Sequence, residues 1–304
     1  MTQKLIAIVG QTATGKSDFA VEVARAIDGE IISADSRQVY KGLAIGTGKI
    51  TKKEMREVPH HLLDVVNPKR QFTVADFTRL SDKSIRDILK RKKVPILCGG
   101  TGFYIDAVVF GKEYPEVPPN KKLRDTLEKY STAELFNILK KHDPKRALTI
   151  DQNNPVRLIR AIEIVKHLGK VPYIKTEQKW QSLVIGFSLP REILKQKIQI
   201  RLLKRLKAGM LAEAKRLHTN GLSYKRMEAL GLEYRYQARY LQGSITKTEM
   251  IEQLTNEIFQ YAKRQETWFK RNKNIIWIDP RKISERKKVL RMIKKFLQPT
   301  HTIL

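Results

Sequence analysis

Cysteine is nearly absent: Cys98 stands alone in 304 residues. No disulfide can form within the chain, and a cysteine-based metal site is excluded. Cys98 ends the apolar run at 94–98, where it reads as a small buried hydrophobe rather than a nucleophile. Long apolar runs are missing too. None approaches the roughly 20 residues that span a bilayer. Met1-Thr2-Gln3-Lys4 leads into five apolar residues and a glycine-rich loop, which is not a signal peptide. A cytoplasmic protein with no membrane partner is expected. Acidic residues are scarce: 31 Asp and Glu face 60 Lys and Arg, a net charge of +29. Solubility is served by a charge of about 2–8 on a small domain. An excess this large attracts polyanions over long range, with nucleic acid the foremost class. A lysine-biased proteome gives the same composition, and DNA, RNA and an anionic membrane remain alternatives at this level.

What is present reads as one sizeable domain plus a smaller one. Residues 5–9 form a continuous run rich in Ile, as in a buried parallel strand. Residues 10–17 follow as a loop. Residues 18–27 carry Phe19, Val21, Val23, Ala24 and Ile27 at helical spacing and end at Asp28-Gly29. Residues 30–34 and 94–98 read as further strands, closed by Asp35-Ser36 and by Gly99-Gly100-Thr101-Gly102. Between them, residues 73–91 place Val74, Phe77, Leu80, Ile85, Ile88 and Leu89 along one side of a helix. This alternation predicts an α/β fold with a doubly wound parallel sheet. Ligands of such sheets sit at the carboxyl ends of the strands, and all three polar loops lie there.

The texture changes near residue 113. Pro115, Pro118 and Pro119 precede helical patterns at 121–130, 133–140 and 155–167. Residues 113–180 therefore read as a helical insertion, with 1–112 and 181–304 as the core. Residues 183–188 return as a strand. Residues 191–220 form one long basic amphipathic helix or a broken pair. A second long helix is expected at 247–272, a last strand holding Trp277 at 275–278, and a basic helix at 283–297. The final few residues are expected to fray.

Gly10-Gln11-Thr12-Ala13-Thr14-Gly15-Lys16-Ser17 fits G-x-x-x-x-G-K-[ST]. Such a loop turns backbone N–H groups inward onto phosphate oxygens, and the following helix adds its positive N-terminus. Lys16 supplies a charge to the terminal phosphate and Ser17 can hold Mg²⁺. The loop follows a buried strand and opens a helix, as the motif requires, so the sheet is expected to be P-loop NTPase-like. A nucleotide hydrolase usually needs a second strand ending in Asp. The strand at 94–98 ends in Gly-Gly-Thr-Gly instead. The carboxylate comes from Asp35, and Thr101 is the further polar group. A diphosphate leaving group with a base suits that set better than water-driven hydrolysis. By spacing alone, Asp35 reads equally as a turn or capping residue.

Several segments resemble the tRNA dimethylallyltransferase (tRNA isopentenyltransferase) family. They are the loop at 10–17, Ser33-Ala34-Asp35-Ser36-Arg37-Gln38-Val39-Tyr40, Ile45-Gly46-Thr47-Gly48-Lys49, Pro59-His60-His61-Leu62-Leu63-Asp64, and residues 99–104. Asn154-Pro155-Val156-Arg157-Leu158-Ile159-Arg160-Ala161 and Ala262-Lys263-Arg264-Gln265-Glu266-Thr267-Trp268 complete the series, in the family's order over nearly the whole chain. The resemblance implies transfer of a dimethylallyl group from its diphosphate to N6 of adenosine 37, beside the tRNA anticodon, with Mg²⁺. It implies that Asp35 is the general base, that Thr12 to Ser17 cradle the diphosphate, and that Ser17 is a metal ligand. Lys16 and Thr101 join Asp35 as catalytic candidates. Asp35, Ser36, Arg37, Gln38 and Thr101, together with Val156, Arg157, Leu158, Ile159 and Arg160, are the implied tRNA contacts. Arg201 resembles an arginine near the diphosphate. The partners implied are the tRNA anticodon stem-loop and dimethylallyl diphosphate, acting on a monomer. Three departures stand out: Val156 where relatives often carry Gln, Gly48 where Ala is frequent, and Ala229-Leu230-Gly231-Leu232-Glu233-Tyr234-Arg235, which matches the family only loosely.

Other features have plainer readings. Adjacent His60 and His61 point different ways, so structural or substrate-shaping roles fit better than a metal site with Asp64. Arg157 and Arg160 share a helical face, either solvated or turned to phosphates. The Lys-Arg runs at 201–207 and 281–295 read as solvated faces that add non-specific RNA affinity. Trp268 and Phe269 read as core. The rival functions are a P-loop kinase, a prenyltransferase of free adenine nucleotides, and a non-catalytic RNA-binding protein.

Overall fold

The structure, a computed structural model, describes residues 3–298. The end expected to fray lies outside the described residues. The chain divides into two compact units: Lys112–Glu177 forms one, and the described residues on either side of it form the other.

The larger unit opens with β1 (Lys4–Gly10), α1 (Lys16–Ala26), β2 (Gly29–Ala34), α2 (Lys52–Met55), β3 (His60–His61), α3 (Val74–Lys90), β4 (Val94–Gly99) and α4 (Gly102–Val109). The smaller unit holds α5 (Lys121–Leu127), α6 (Thr132–His142), α7 (Pro144–Ala147) and α8 (Pro155–Leu168). The larger unit then resumes with β5 (Gln181–Phe187), α9 (Arg191–Lys207), α10 (Met210–Thr219), α11 (Tyr224–Leu230) and α12 (Leu232–Leu241). It ends with α13 (Lys247–Phe269), β6 (Ile276–Ile278) and α14 (Ile283–Leu297).

The six strands form one parallel sheet in the order β3-β2-β4-β1-β5-β6. Both faces are covered, and the two-residue period of a strand divides its side chains between them. Leu5, Ala7 and Val9 of β1 pack with Phe77, Ile85, Ile105 and Phe269 on one face. Ile6 and Ile8 pack with Phe19, Val23, Val289 and Ile293 on the other. Fully burying each such aliphatic or aromatic side chain contributes about 1.5–3 kcal/mol. The chain leaves β1 towards β2 on one side and later returns to β5 on the other. β1 therefore marks the point where the winding reverses, and its carboxyl end is where this architecture opens a crevice.

Residues 191–220 form a broken pair, α9 and α10. The break is at Gly209, whose φ of 96° no longer continues a right-handed helix. Periodicity does not mark α12, because Glu233, Tyr234, Tyr236 and Gln237 are all on its buried surface. Nor does it mark β3, whose two residues pair with Ile31 and Ile32 and carry no apolar signal.

The smaller unit has its own core of Leu127, Leu135, Leu139, Leu158, Ile162 and Val165. Beside that core, Arg124 grips the buried Glu163 carboxylate through Nε at 2.9 Å and Nη2 at 2.7 Å. The Asn120 N–H and the Arg160 guanidinium donate to the same carboxylate.

Candidate active site at the carboxyl edge of the sheet

The loop between β1 and α1 is braced by its own polar groups and by residues of neighbouring elements. The Thr14 hydroxyl donates to the Gln11 carbonyl at 2.8 Å, and the Lys16 ammonium donates to the same oxygen. The Gln11 side chain is buried and takes the Leu189 N–H at 3.3 Å on its Oε1. Ala13 and Thr14 are buried too, while Gly15 and Ser17 are exposed. Gly10, Gln11, Ala13 and Thr14 thus offer a ligand backbone rather than side chains. The Thr12 N–H is already committed to Gln265 Oε1 at 2.8 Å. Desolvation pushes the Lys16 ammonium down to about 8, with Arg201 adding repulsion against the opposing pull of Asp35. A cation held this way gains its full charge when an anion arrives.

Asp35 follows β2 directly. Its Oδ1 accepts the Arg37 N–H at 2.8 Å and the Gln38 N–H at 3.2 Å, which folds residues 35–38 into a tight polar turn. The neighbouring Ser36 N–H donates to Thr101 Oγ1 at 3.0 Å, which ties this turn to the start of α4. The Thr101 N–H in turn donates to the Ala34 carbonyl at 3.2 Å. Lys16, Ser17, Asp35 and Gln38 open onto one cleft, whose other walls include Ile31, Ile50, Leu63 and Cys98. Cationic and acidic groups therefore face each other across a partly apolar space. Arg201 of α9 reaches the same region, where its guanidinium forms no hydrogen bond or ion pair among the described residues.

The implied tRNA segment on α8 is divided by burial. Val156 is 75% exposed, whereas Leu158 and Ile159 are buried in the core of the smaller unit. Arg160 donates to Glu163 and, at 2.9 Å, to the Val117 carbonyl. Arg157 is exposed and lies 3.6 Å from Asp151. Only Val156 and Arg157 present side chains freely, so Leu158 and Ile159 hold the helix in place instead.

The histidine pair holds local structure. His61 Nε2 lies 2.7 Å from Glu30 Oε2, and His60 Nδ1 lies 2.8 Å from the Val58 carbonyl. Asp64 pairs with Lys49 at 2.6 Å. No group of three or more His, Cys, Asp or Glu could hold a metal ion among the described residues. Burial pushes the Cys98 thiol up to about 12, which removes it as a nucleophile.

Sequence reasoning assigns no site role to two residues, although Gln265 lies in the 262–268 segment that resembles the family. Tyr261 of α13 lies beside Thr101, and burial together with the nearby Asp35 pushes its phenol up to about 12. Gln265, one turn further on, touches both polar loops. The available signal was a glutamine on the buried stripe that also holds Ala262 and Phe269. Phe269 is core as expected, while Trp268 is half-buried against Phe103, with ring centroids 4.6 Å apart.

Residues 38–272 match the family model described as IPP transferase. The tRNA dimethylallyltransferase 2 of Treponema denticola is 44% identical over 272 residues, covering 88% of this chain and 91% of that protein. The tRNA dimethylallyltransferase of Anoxybacillus flavithermus is 41% identical over 92% of this chain and 91% of that one. The crystal structure of tRNA isopentenylpyrophosphate transferase from Bacillus halodurans superposes with a TM-score of 0.74 at 36% identity, over 96% of both chains. A eukaryotic dimethylallyltransferase, solved in crystallographic snapshots of its action on tRNA, gives a TM-score of 0.81 at 27% identity, over 97% of this chain and 79% of that one. The chain belongs to the tRNA dimethylallyltransferase family and carries its P-loop NTPase-like α/β fold.

Proposed function

We propose that this chain transfers a dimethylallyl group from dimethylallyl diphosphate to N6 of adenosine 37 of tRNA, releasing diphosphate. The observation that carries the reading is the shared cleft of Lys16, Ser17 and Asp35. The exocyclic amine of adenine is a weak nucleophile, because its lone pair is delocalised into the ring. Rate must come from placing it against the allylic carbon and from stabilising charge on the leaving diphosphate. Lys16, Arg201 and the loop N–H groups left free serve the second need. Asp35 serves the first by holding the amine through its N–H. The nitrogen–carbon bond forms as the carbon–oxygen bond to diphosphate breaks, and Asp35 takes the amine proton. Thr101 and the turn at Ser36, Arg37 and Gln38 frame the target base, which must leave its stack to enter the cleft.

Ser17 also fits a role beside Mg²⁺. Its hydroxyl is exposed at the mouth of the cradle, and no all-protein metal cluster exists among the described residues. A hard cation that keeps several waters and binds through one or two protein oxygens plus substrate phosphates suits that donor set. When bound, Mg²⁺ would supply further neutralisation of the diphosphate charge.

The exposure of Val156 and Arg157 on α8 supports assigning them the contact with the anticodon stem-loop. No helix among the described residues is long and apolar enough to cross a membrane. One chain supplies both cradle and carboxylate, so a monomer suffices, working in the cytoplasm alongside tRNA.

The test is a transfer assay with Mg²⁺, labelled dimethylallyl diphosphate and unmodified tRNA, with AMP and ATP in parallel. Label in tRNA that is lost when adenosine 37 becomes guanosine is the expected result. Label in free nucleotide only, or ATP consumption with no label transferred, overturns the reading.

A further inference from the structure

Gln265 lies on the stripe of α13 that packs into the core, and only 6% of it is exposed. A buried amide must find partners for both its ends. Its Oε1 accepts the Thr12 N–H at 2.8 Å, from the loop after β1. Its Nε2 donates to the Gly100 carbonyl at 2.9 Å, in the loop after β4. The approach is close: a Cβ at position 100 would lie 2.1 Å from Gln265 Nε2, so a larger residue there displaces the amide. The residue after Gly100 is Thr101, whose Oγ1 accepts the Ser36 N–H at 3.0 Å. Ser36 follows Asp35. A continuous path therefore runs from the phosphate loop through the Gln265 amide and Thr101 to the carboxylate turn.

The geometry points to Gln265 as a positioning residue that sets the spacing between the diphosphate cradle and the Asp35 turn. The inference rests on the transferase reading above. Gln265 does not need to touch either substrate. In that reading the cradle holds the leaving group and the turn holds the amine, so their separation decides whether nitrogen and allylic carbon meet at reacting distance. Beyond Val9 and Gly99, the last residues paired between β1 and β4, each loop has backbone freedom of its own. A single planar amide bonded to both backbones removes that freedom. Burial adds to its effect, because water does not replace either bond.

The prediction is a split between binding and chemistry. In Gln265→Leu, each substrate alone binds as it does to the unaltered chain. The single-turnover rate of the ternary complex falls about 100-fold, the usual cost of misplacing reacting groups by an ångström. In Gln265→Glu, an oxygen remains for the Thr12 N–H, but a carboxylate oxygen faces the Gly100 carbonyl. One arm is kept and the other repels, so the rate falls in this variant as well. The experiment measures, in the full chain, the affinity for dimethylallyl diphosphate, the affinity for unmodified tRNA, the single-turnover rate and the thermal midpoint. A folded Gln265→Leu that transfers at the unaltered rate overturns the brace. So does a loss of rate that is matched by equal losses of both affinities, which marks general damage. If Gln265→Leu does not fold, Gln265→Glu decides by the same criteria. An unaltered chain that transfers nothing to tRNA overturns the transferase reading itself, and the brace with it.

Discussion

The hydroxyl of Tyr234 donates to Glu213 Oε1 at 2.7 Å, with both residues almost wholly buried. The same carboxylate accepts the N–H groups of Ala44, Ile45 and Gly46 at 3.0, 2.8 and 2.9 Å. One side chain of α10 thus gathers three backbone donors of the 44–49 segment, which then reaches Lys49 and its partners Tyr40 and Asp64. Glu213→Ala leaves those donors buried and unpaired, at a cost of at least about 3 kcal/mol. Tyr234→Phe removes one charge-assisted bond and costs about 1.5–3 kcal/mol. Urea unfolding checks both. Midpoints equal to that of the unaltered chain remove the clasp as a source of stability.

Asp35→Asn separates the structural from the chemical role of this residue. An amide oxygen still accepts the Arg37 and Gln38 N–H groups that Asp35 Oδ1 accepts, so the turn is kept. The proton acceptor is lost, and turnover falls by about 10²–10⁴. Affinity for tRNA stays at the unaltered level. Steady-state transfer with filter-binding controls checks the pair. Unchanged turnover removes Asp35 as the base.

The parts of this molecule that were legible beforehand are those written in contiguous residues. β1, β2 and β4 are runs buried on both faces, and the phosphate loop is one uninterrupted motif. Asp35 shows itself by following a strand. The bracing roles of Gln265 and Glu213 do not, because their partners lie 253 and 167 to 169 positions away. Their roles exist only once α13 and α10 have packed against the sheet. At Leu158 and Ile159 the motif implies tRNA contact while the side chains are buried. A motif implies contact for a whole segment, while the helical period turns half of that segment inward.

Lys16 gives the protein a pH signature. Its ammonium lies at about 8, below the ordinary value of 10.5, and diphosphate favours the charged form. Binding therefore takes up a proton above pH 8, and affinity falls by up to about tenfold per pH unit there. Below pH 8 it is flat with respect to this group. Calorimetric titration with diphosphate at about pH 7.5 and 9.5 reads the difference, and Lys16→Arg, charged at both, flattens it. A flat profile in the unaltered chain sinks the assignment. The stability sign follows from the same shift. The unfolded chain holds more protons between pH 8 and 10.5, so stability of the unliganded protein rises across that window. Lys16→Met removes the penalty, raising the thermal midpoint at neutral pH while abolishing transfer.

The burial pattern along α8 assigns different losses to adjacent residues. Arg157 is exposed and carries only a 3.6 Å pairing with Asp151, so its guanidinium is available to a phosphate. Arg157→Ala is expected to weaken tRNA binding and to lower the salt slope of log affinity by about one. Leu158 has no exposed surface. Leu158→Ala is expected to cost about 2–5 kcal/mol of stability, as other buried leucines do. Its effect on the salt slope is nil, because no charge is removed. The full chain at +29 should bind tRNA with a steep salt dependence whatever the local substitution, since counterions are released at every neutralised phosphate. Binding isotherms at several salt concentrations therefore separate the two residues. A slope unchanged by Arg157→Ala and reduced by Leu158→Ala would reverse the assignment, placing the RNA contact on the face that packs inward here.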